Sequence, residues 1–443
     1  MNGPADDLTQ AAVARSRAIA EIAVGSAILP TVPDLLARHF GAKSVALVAD
    51  ENTYAAAGKR TEDALTGAGV AVRSMILPGA PRPKPTAELG DEIAAFINEG
   101  ETPISVGSGV IHDVTKYAAF RRERPYLCVA TAASMDGYSS AGAPLSVGGF
   151  KKTIPCRAPL AILADMDIVA GAPAEMSGWG YGDLAGKVPA GGDWLVADAL
   201  GIEPVDDVAW PLVQDNLPGW LAAPEAVRTG DRAAIADLFT GLTLSGLAME
   251  FHGTSRPASG ADHQIAHMWE MENLMQDGER VSHGACVSVG CIAALSLHDW
   301  LLTQDLTAID ADRVVARALT MDEKRAEIAG LMSAAIGERA LAETEAKHLT
   351  HRVHRERLAA IAAAWPVLSA RLSAHMMRTG AMAQLLGAAG APVRAADIGV
   401  DRAHLRNTIR AARFIRSRYT VLDLLEECGL LDAAIDAVAP TQA

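Results

Sequence analysis

The sequence predicts an α/β N-terminal domain over 1–175, built on a Rossmann-like parallel sheet, followed by an all-α C-terminal domain over 176–443, the two joined near 170–178. Three observations predict it. Short apolar β-type runs alternate with helical patterns through the first part of the chain, the signature of a parallel sheet covered by helices. After Pro173 the strand patterns stop, and Ala/Leu-rich helical segments run nearly to the end. With 443 residues, half of them hydrophobic, the chain is long enough for two or three domains and can bury a core without disulfides or a structural metal.

In order, Ser44–Asp50 (SVALVAD) reads as a strand, 54–66 as a helix, Val70–Leu77 as a strand and Asp91–Asn98 as a helix. Pro103–Gly109 (PISVGSG) is a strand running into a glycine turn, His112–Phe120 a helix, and Tyr126–Ala132 a strand. Residues 143–155 form a hairpin or loop, and Leu160–Asp165 one more strand. The second half carries helical segments at 231–247, 284–302, 311–333, 358–375 and 421–438, punctuated at Pro218–Gly219 and Gly390–Pro392.

Composition narrows the function. Lys and Arg number 39 against 53 Asp and Glu, a net charge of −14, which argues against general nucleic-acid binding and against docking on anionic lipid. Five scattered cysteines (Cys128, Cys156, Cys286, Cys291, Cys428) form no CxxC motif and read as buried, reduced thiols of a reducing compartment. The opening MNGPADDLTQ lacks a basic stretch leading into an apolar run. Apolar stretches such as Cys286–Leu297 fall short of the ~18 residues that cross a bilayer. A cytoplasmic protein is expected.

Three candidate sites carry chemistry. The first is VGSGVIHD (Val106–Asp113), where a strand ends on Gly107 and Gly109 just before a helix. Backbone N–H groups at such a helix start can cradle a pyrophosphate, although the third glycine of the GxGxxG fingerprint is missing and a glycine turn is commonly structural. Asp50, ending a strand, can bond a cofactor's ribose hydroxyls or cap the next helix. The second is TAASMDGYSS (Thr131–Ser140), a hydroxyl-rich loop with one acid just past a strand, where open α/β sheets take ligands and where a capped turn looks similar. The third is histidine-rich: five of twelve histidines fall between His252 and His298. His263 and His267 share a helix face, His283 precedes a glycine and a helix, and Asp183 lies between glycines in GWGYGDLAGK. Imidazoles joined by a carboxylate are ordinary ligands of Zn, Fe(II) or Ni(II), with satisfied buried histidines the alternative. His348, His351 and His354 recur at helical spacing among Glu, Lys and Arg, and read as a solvated face. Cys286 and Cys291 read as core. Lys151, Lys152 and Arg256 are the cations nearest the candidate loops.

Taken in order, GSGVIHDVTKY, TAASMDGYSS, KKTIPCRAPLAILAD, GYGDLAGKV, SRPASGADHQIAH and SHGACVSVG closely resemble the sn-glycerol-1-phosphate dehydrogenases, bacterial branch, within the superfamily of glycerol dehydrogenase, iron-containing alcohol dehydrogenases and 3-dehydroquinate synthase. The resemblance spans residues 20–425 and implies a dehydroquinate synthase-like fold. It implies reduction of dihydroxyacetone phosphate to sn-glycerol 1-phosphate with NAD or NADP as cofactor and one divalent metal, Zn or Ni, with Fe also open. It further implies Asp183, His263 and His283 as metal ligands, and Asp136, Asp183 and His267 at the substrate, with Asp183 and His267 catalytic. Asp50, Gly107, Ser108, Gly109, Val110, Ile111, Thr131, Ser134 and Ser140 would then meet the cofactor. The chain departs from the family's pattern at Val110, at Met135 (often His) and at Asp262 (often Glu). Alternatives are a dehydrogenase of another polyol or polyol phosphate, a 3-dehydroquinate-synthase-like cyclase, or a catalytically silent nucleotide- or metal-binding protein. Expected partners are a small-molecule substrate and further copies of the chain, as a homodimer or larger homo-oligomer, with no nucleic acid and no membrane.

Overall fold

The computed structural model describes residues 4–147 and 150–442. It resolves into two compact units that are not contiguous in sequence: Met1–Leu184 with Pro218–Gly253, and Ala185–Leu217 with Thr254–Ala443.

The first unit is built on a six-stranded parallel sheet. Its strands are β1 (Glu21–Gly25), β2 (Ser44–Asp50), β3 (Ala71–Leu77), β4 (Thr102–Gly107), β5 (Leu127–Ala130) and, beyond the antiparallel hairpin β6 (Gly142–Val147) and β7 (Phe150–Pro155), β8 (Ala161–Asp165). They lie in the order β1-β8-β5-β4-β2-β3. Period-two alternation sends successive side chains to opposite faces. Val45, Leu47 and Ala49 of β2 pack with Leu29, Leu35 and Leu36 on one face, while Ala46 and Val48 pack with Ile93, Ile111 and Val114 on the other. Both faces are covered, which is why these strands read as continuous apolar runs. Five of the six sheet strands fall where the sequence predicts them. β1 (EIAVG) is short, its residues only half-buried at the sheet edge, and it carries too little apolar signal to register. The helix Arg232–His252 belongs to this unit, although its composition matches the helical half.

The second unit is helical among its described residues, apart from the two-residue strands Met275–Gln276 and Glu279–Arg280. Its central helix, His283–Leu301, is buried almost throughout. Two predicted helices divide. The segment 311–333 breaks into Ala311–Arg317 and Met321–Leu331, because Thr320 and Glu323 form a capping box that starts a new helix. The segment 421–438 breaks into Val421–Glu427 and Leu431–Gln442 around Gly429, whose φ of +68° ends a helix. By length and mean hydropathy, Arg232–His252 and His283–Leu301 do reach membrane-spanning values, contrary to the expectation from sequence. Their apolar windows are 72% and 89% buried inside the protein, as in core helices.

Candidate active site

Strand order places the first unit's candidate residues. From β2 the chain runs outward to β3, and from β4 it runs the other way to β5, so the carboxyl ends of β2 and β4 flank the topological switch point where such sheets take ligands. Asp50 ends β2, Gly107 ends β4, and Thr131 follows β5. A Cβ on Gly107 would stand 2.6 Å from the Cβ of Ile111, so glycine is what lets β4 turn directly into the helix Gly109–Arg121. Gly109 has φ of +20°, and Val110 and Ile111 belong to the first helical turn, whose N–H groups have no partner within the helix. Ser108 stands at the N-cap without capping. Its Oγ lies 2.5 Å from Ser134 Oγ and joins the glycine turn to the second loop. Asp50 is a cap: Oδ1 accepts the Thr53 N–H at 2.7 Å, and the Thr53 hydroxyl accepts the Asp50 N–H at 3.0 Å. The capping alternative is thus realised, by one of the two carboxylate oxygens.

The Thr131–Ser140 loop is held from three sides within this unit. Lys116 is fully buried beneath it and donates to the carbonyls of Gly137 (2.8 Å) and Gly142 (3.0 Å). Ser140 Oγ donates to the Gly137 carbonyl at 3.2 Å, within the loop's own turn. The helix Ala174–Ala185 crosses the loop so closely that a Cβ on Gly180 would meet the Ala133 carbonyl oxygen at 1.9 Å. That crossing brings the Asp183 carboxylate to the Asp136 N–H, which donates to Oδ2 at 2.9 Å. On the helix Arg232–His252, a Cβ on Gly246 would meet Ser139 Oγ at 2.0 Å. Met135 folds back on its own loop, its sulfur 2.9 Å from the Gly137 N–H.

In the second unit, His263 and His267 on the helix Ala261–Met271 meet His283, the first residue of the central helix. Ring centroids lie 5.4 Å (His263–His283), 5.7 Å (His267–His283) and 5.9 Å (His263–His267) apart. Each ring has a carboxylate on Nδ1. Asp262 holds His263, while Glu270 holds His267 through Oε2 at 2.7 Å and His283 through Oε1 at 3.0 Å. A carboxylate on Nδ1 fixes the tautomer in which Nε2 is the ligating nitrogen, the usual outer-shell arrangement of metal-binding histidines. This donor set fits a divalent cation.

Two residues that the sequence does not flag build this arrangement. Glu270 is one. The other is Asp193, wholly buried on the helix Lys187–Ala199: its Oδ2 accepts the Ala261 N–H at 2.7 Å, and its Oδ1 accepts the Val421 N–H at 2.7 Å and lies 3.0 Å from His298 Nε2. One carboxylate therefore fixes the start of the His263 helix and ties it to the central helix. Only tertiary burial marks Asp193, and AGGDWLVAD does not announce it.

Other candidates are placed elsewhere. Arg256 is fully buried and donates to the carbonyls of Tyr419 (2.9 Å) and Asp193 (3.0 Å), with Glu203 at 3.2 Å, so its guanidinium is consumed by the fold. Lys152 is exposed on β7, and the Lys151 side chain lies outside the described residues. His354 corrects the solvated-face reading: it is buried, with Nε2 2.7 Å from the Glu427 carbonyl, whereas His351 is exposed. All five cysteines are free thiols, and burial pushes Cys128 and Cys428 up to about 12, which keeps them protonated at neutral pH.

Residues 23–173 match the iron-containing alcohol dehydrogenase family. The chain is 38% identical to glycerol-1-phosphate dehydrogenase (NAD(P)+) of Bacillus velezensis over 252 residues, 56% of this chain and 64% of that protein. It is 30% identical to the enzyme of the same name from Bacillus subtilis over 412 residues, covering 92% of this chain and 91% of that one. Among solved structures, a probable glycerol dehydrogenase from Sinorhizobium meliloti superposes with a TM-score of 0.61 at 15% identity, covering 95% of this chain and 97% of the other. Sheet and helical unit thus have the dehydroquinate synthase-like fold, and the relationship to these enzymes makes the chain an oxidoreductase of the iron-containing alcohol dehydrogenase type. Within that class, the chain belongs to the glycerol-1-phosphate dehydrogenase family.

Proposed function

We propose that this protein reduces dihydroxyacetone phosphate to sn-glycerol 1-phosphate with NADH or NADPH, and that Asp183, His263 and His283 hold one divalent cation, Zn or Ni. The observation that carries the reading is the pair of imidazoles His263 and His283, each with a carboxylate on Nδ1, in a chain of this family. When bound, the cation supplies Lewis acidity to the substrate carbonyl and the nicotinamide supplies hydride.

The chain's own residues do the rest. Three ligands leave coordination positions for substrate oxygens. Asp183 also anchors the Asp136 N–H, and so sets the loop that meets the substrate. The Gly107–Ile111 turn offers N–H groups and the positive end of the Gly109–Arg121 helix to the cofactor's pyrophosphate. Thr131, Ser134 and Ser140 line the neighbouring loop, and Asp50 meets the ribose. His267, held by Glu270, stands beside the ligand His283 and passes the proton to the product oxygen, a role worth roughly 10²–10⁴ in rate. The protein works in the cytoplasm as a homo-oligomer, without nucleic acid or membrane.

Absorbance assays with dihydroxyacetone phosphate, dihydroxyacetone and a heptulosonate phosphate, with determination of product stereochemistry, test the reading. It predicts oxidation of NAD(P)H with the first substrate and the sn-1 product. Equal efficiency with dihydroxyacetone points to a polyol dehydrogenase, and turnover of the heptulosonate phosphate to a cyclase.

A further inference from the structure

The chain carries an excess of acid, yet two arginines near the histidine cluster have no ion-pair partner among the described residues. Arg416 Nη1 lies 3.3 Å from Ser255 Oγ, and Arg418 Nη2 lies 2.9 Å from the same oxygen, so both guanidiniums converge on one hydroxyl. Arg418 is fixed further through Nη1, which donates to the carbonyls of Ser259 (2.7 Å) and Ser255 (3.3 Å). The turn they grip, Ser255–Ser259, leads directly into the helix that carries His263 and His267. The acids acting on them at longer range are Glu343 and Glu270 for Arg416, and Glu203 and Asp262 for Arg418.

Arg416 and Arg418 are half-buried, and holding two guanidiniums together with part of their water removed is unfavourable unless an anion joins them. Burial and the neighbouring Arg416 and Arg256 push Arg418 down to about 9, which shows the cost of that arrangement. Paired guanidinium forks match a phosphate's oxygens in charge and in geometry. Of the three cations that the sequence offers beside the candidate loops, Lys151, Lys152 and Arg256, the last is buried, with Nη1 and Nη2 donating to main-chain carbonyls of the fold.

We propose that Arg416 and Arg418, with the Ser255 hydroxyl, form the subsite for the phosphate monoester of the substrate and so set its preference over the unphosphorylated ketone. This rests on the dihydroxyacetone phosphate reading. The subsite lies on the turn before the His263 helix, so binding the phosphate there directs the rest of a three-carbon substrate toward the histidines.

The experiment compares kcat/KM for dihydroxyacetone phosphate and dihydroxyacetone, together with inhibition of dihydroxyacetone reduction by inorganic phosphate, in wild type, Arg416→Gln and Arg416→Lys. Arg416→Gln is the cleaner probe, because Arg418 also supports the turn. The ratio of efficiencies is expected to fall roughly 10- to 100-fold in Arg416→Gln, the worth of one hydrogen-bonded charge contact, with inhibition by phosphate weakened and Arg416→Lys partly restoring both. A merely structural role would lower both efficiencies together and leave the ratio where it was. An unchanged ratio and unchanged phosphate inhibition in Arg416→Gln would overturn the proposal. A wild type that shows no preference for the phosphorylated ketone would instead overturn the functional reading beneath it.

Discussion

A Cβ placed on Gly290 would stand 2.3 Å from the carbonyl oxygen of Asp262. The central helix therefore lies directly against the backbone of the His263 helix, and only glycine permits that approach. This contact fixes how far His283 lies from His263. Gly290→Ala must push the two helices apart, costing roughly 1–3 kcal/mol of stability, as overpacking does. Divalent metal binding is expected to weaken with it. Thermal unfolding and metal titration on the same preparation check this, and a variant with wild-type metal affinity would show that the helix spacing does not set the site.

Asp50 both caps a helix and stands at the ligand edge of the sheet, so the test must separate the two roles. Asparagine caps as well as aspartate does. Asp50→Asn should keep the melting temperature while moving the ratio of catalytic efficiencies several-fold toward NADPH, because the repulsion of a 2′-phosphate is gone. Efficiencies with the two cofactors decide it. An unchanged ratio at unchanged stability would leave Asp50 as a cap alone.

These two residues mark what the sequence conveys and what it withholds. Asp50, Gly107 and the three histidines announce themselves by local context, a strand end, a glycine turn or helical spacing, because the chemistry they need is local. Gly290 sits in an apolar run in which nothing marks the neighbouring backbone. Lys116 and Asp193 are charged residues inside helices, and they read as surface positions until tertiary packing buries them against carbonyls and N–H groups. Glu270 shows only its carboxylate type. Arg416 and Arg418 reach their turn from more than 150 residues away in sequence. The grouping of Arg232–His252 with the sheet is likewise decided by packing, not by composition.

Glu427 gives stability a pH dependence. Burial raises its carboxyl to about 7, opposed by the Tyr419 hydroxyl at 2.6 Å and by Arg357 at 3.8 Å. Between its ordinary range and about 7, the folded chain holds a proton that the unfolded chain has lost. This stabilising contribution is complete below that window and disappears as pH rises through it. Glu427→Gln, permanently neutral, should therefore be more stable than wild type at pH 8, by on the order of 1–3 kcal/mol, with the difference shrinking toward pH 5. Melting curves across that range check the sign, and a variant less stable at pH 8 would contradict it.

His283, with Asp183 and His263, is expected to hold a single divalent cation. The most direct measurement is the metal content per chain of purified wild type and His283→Ala, taken after exhaustive dialysis, with circular dichroism on the same samples. The prediction is one tightly held cation per wild-type chain, and almost none in a variant whose helical spectrum is unchanged. A folded His283→Ala protein that keeps a full equivalent of metal would contradict the claim.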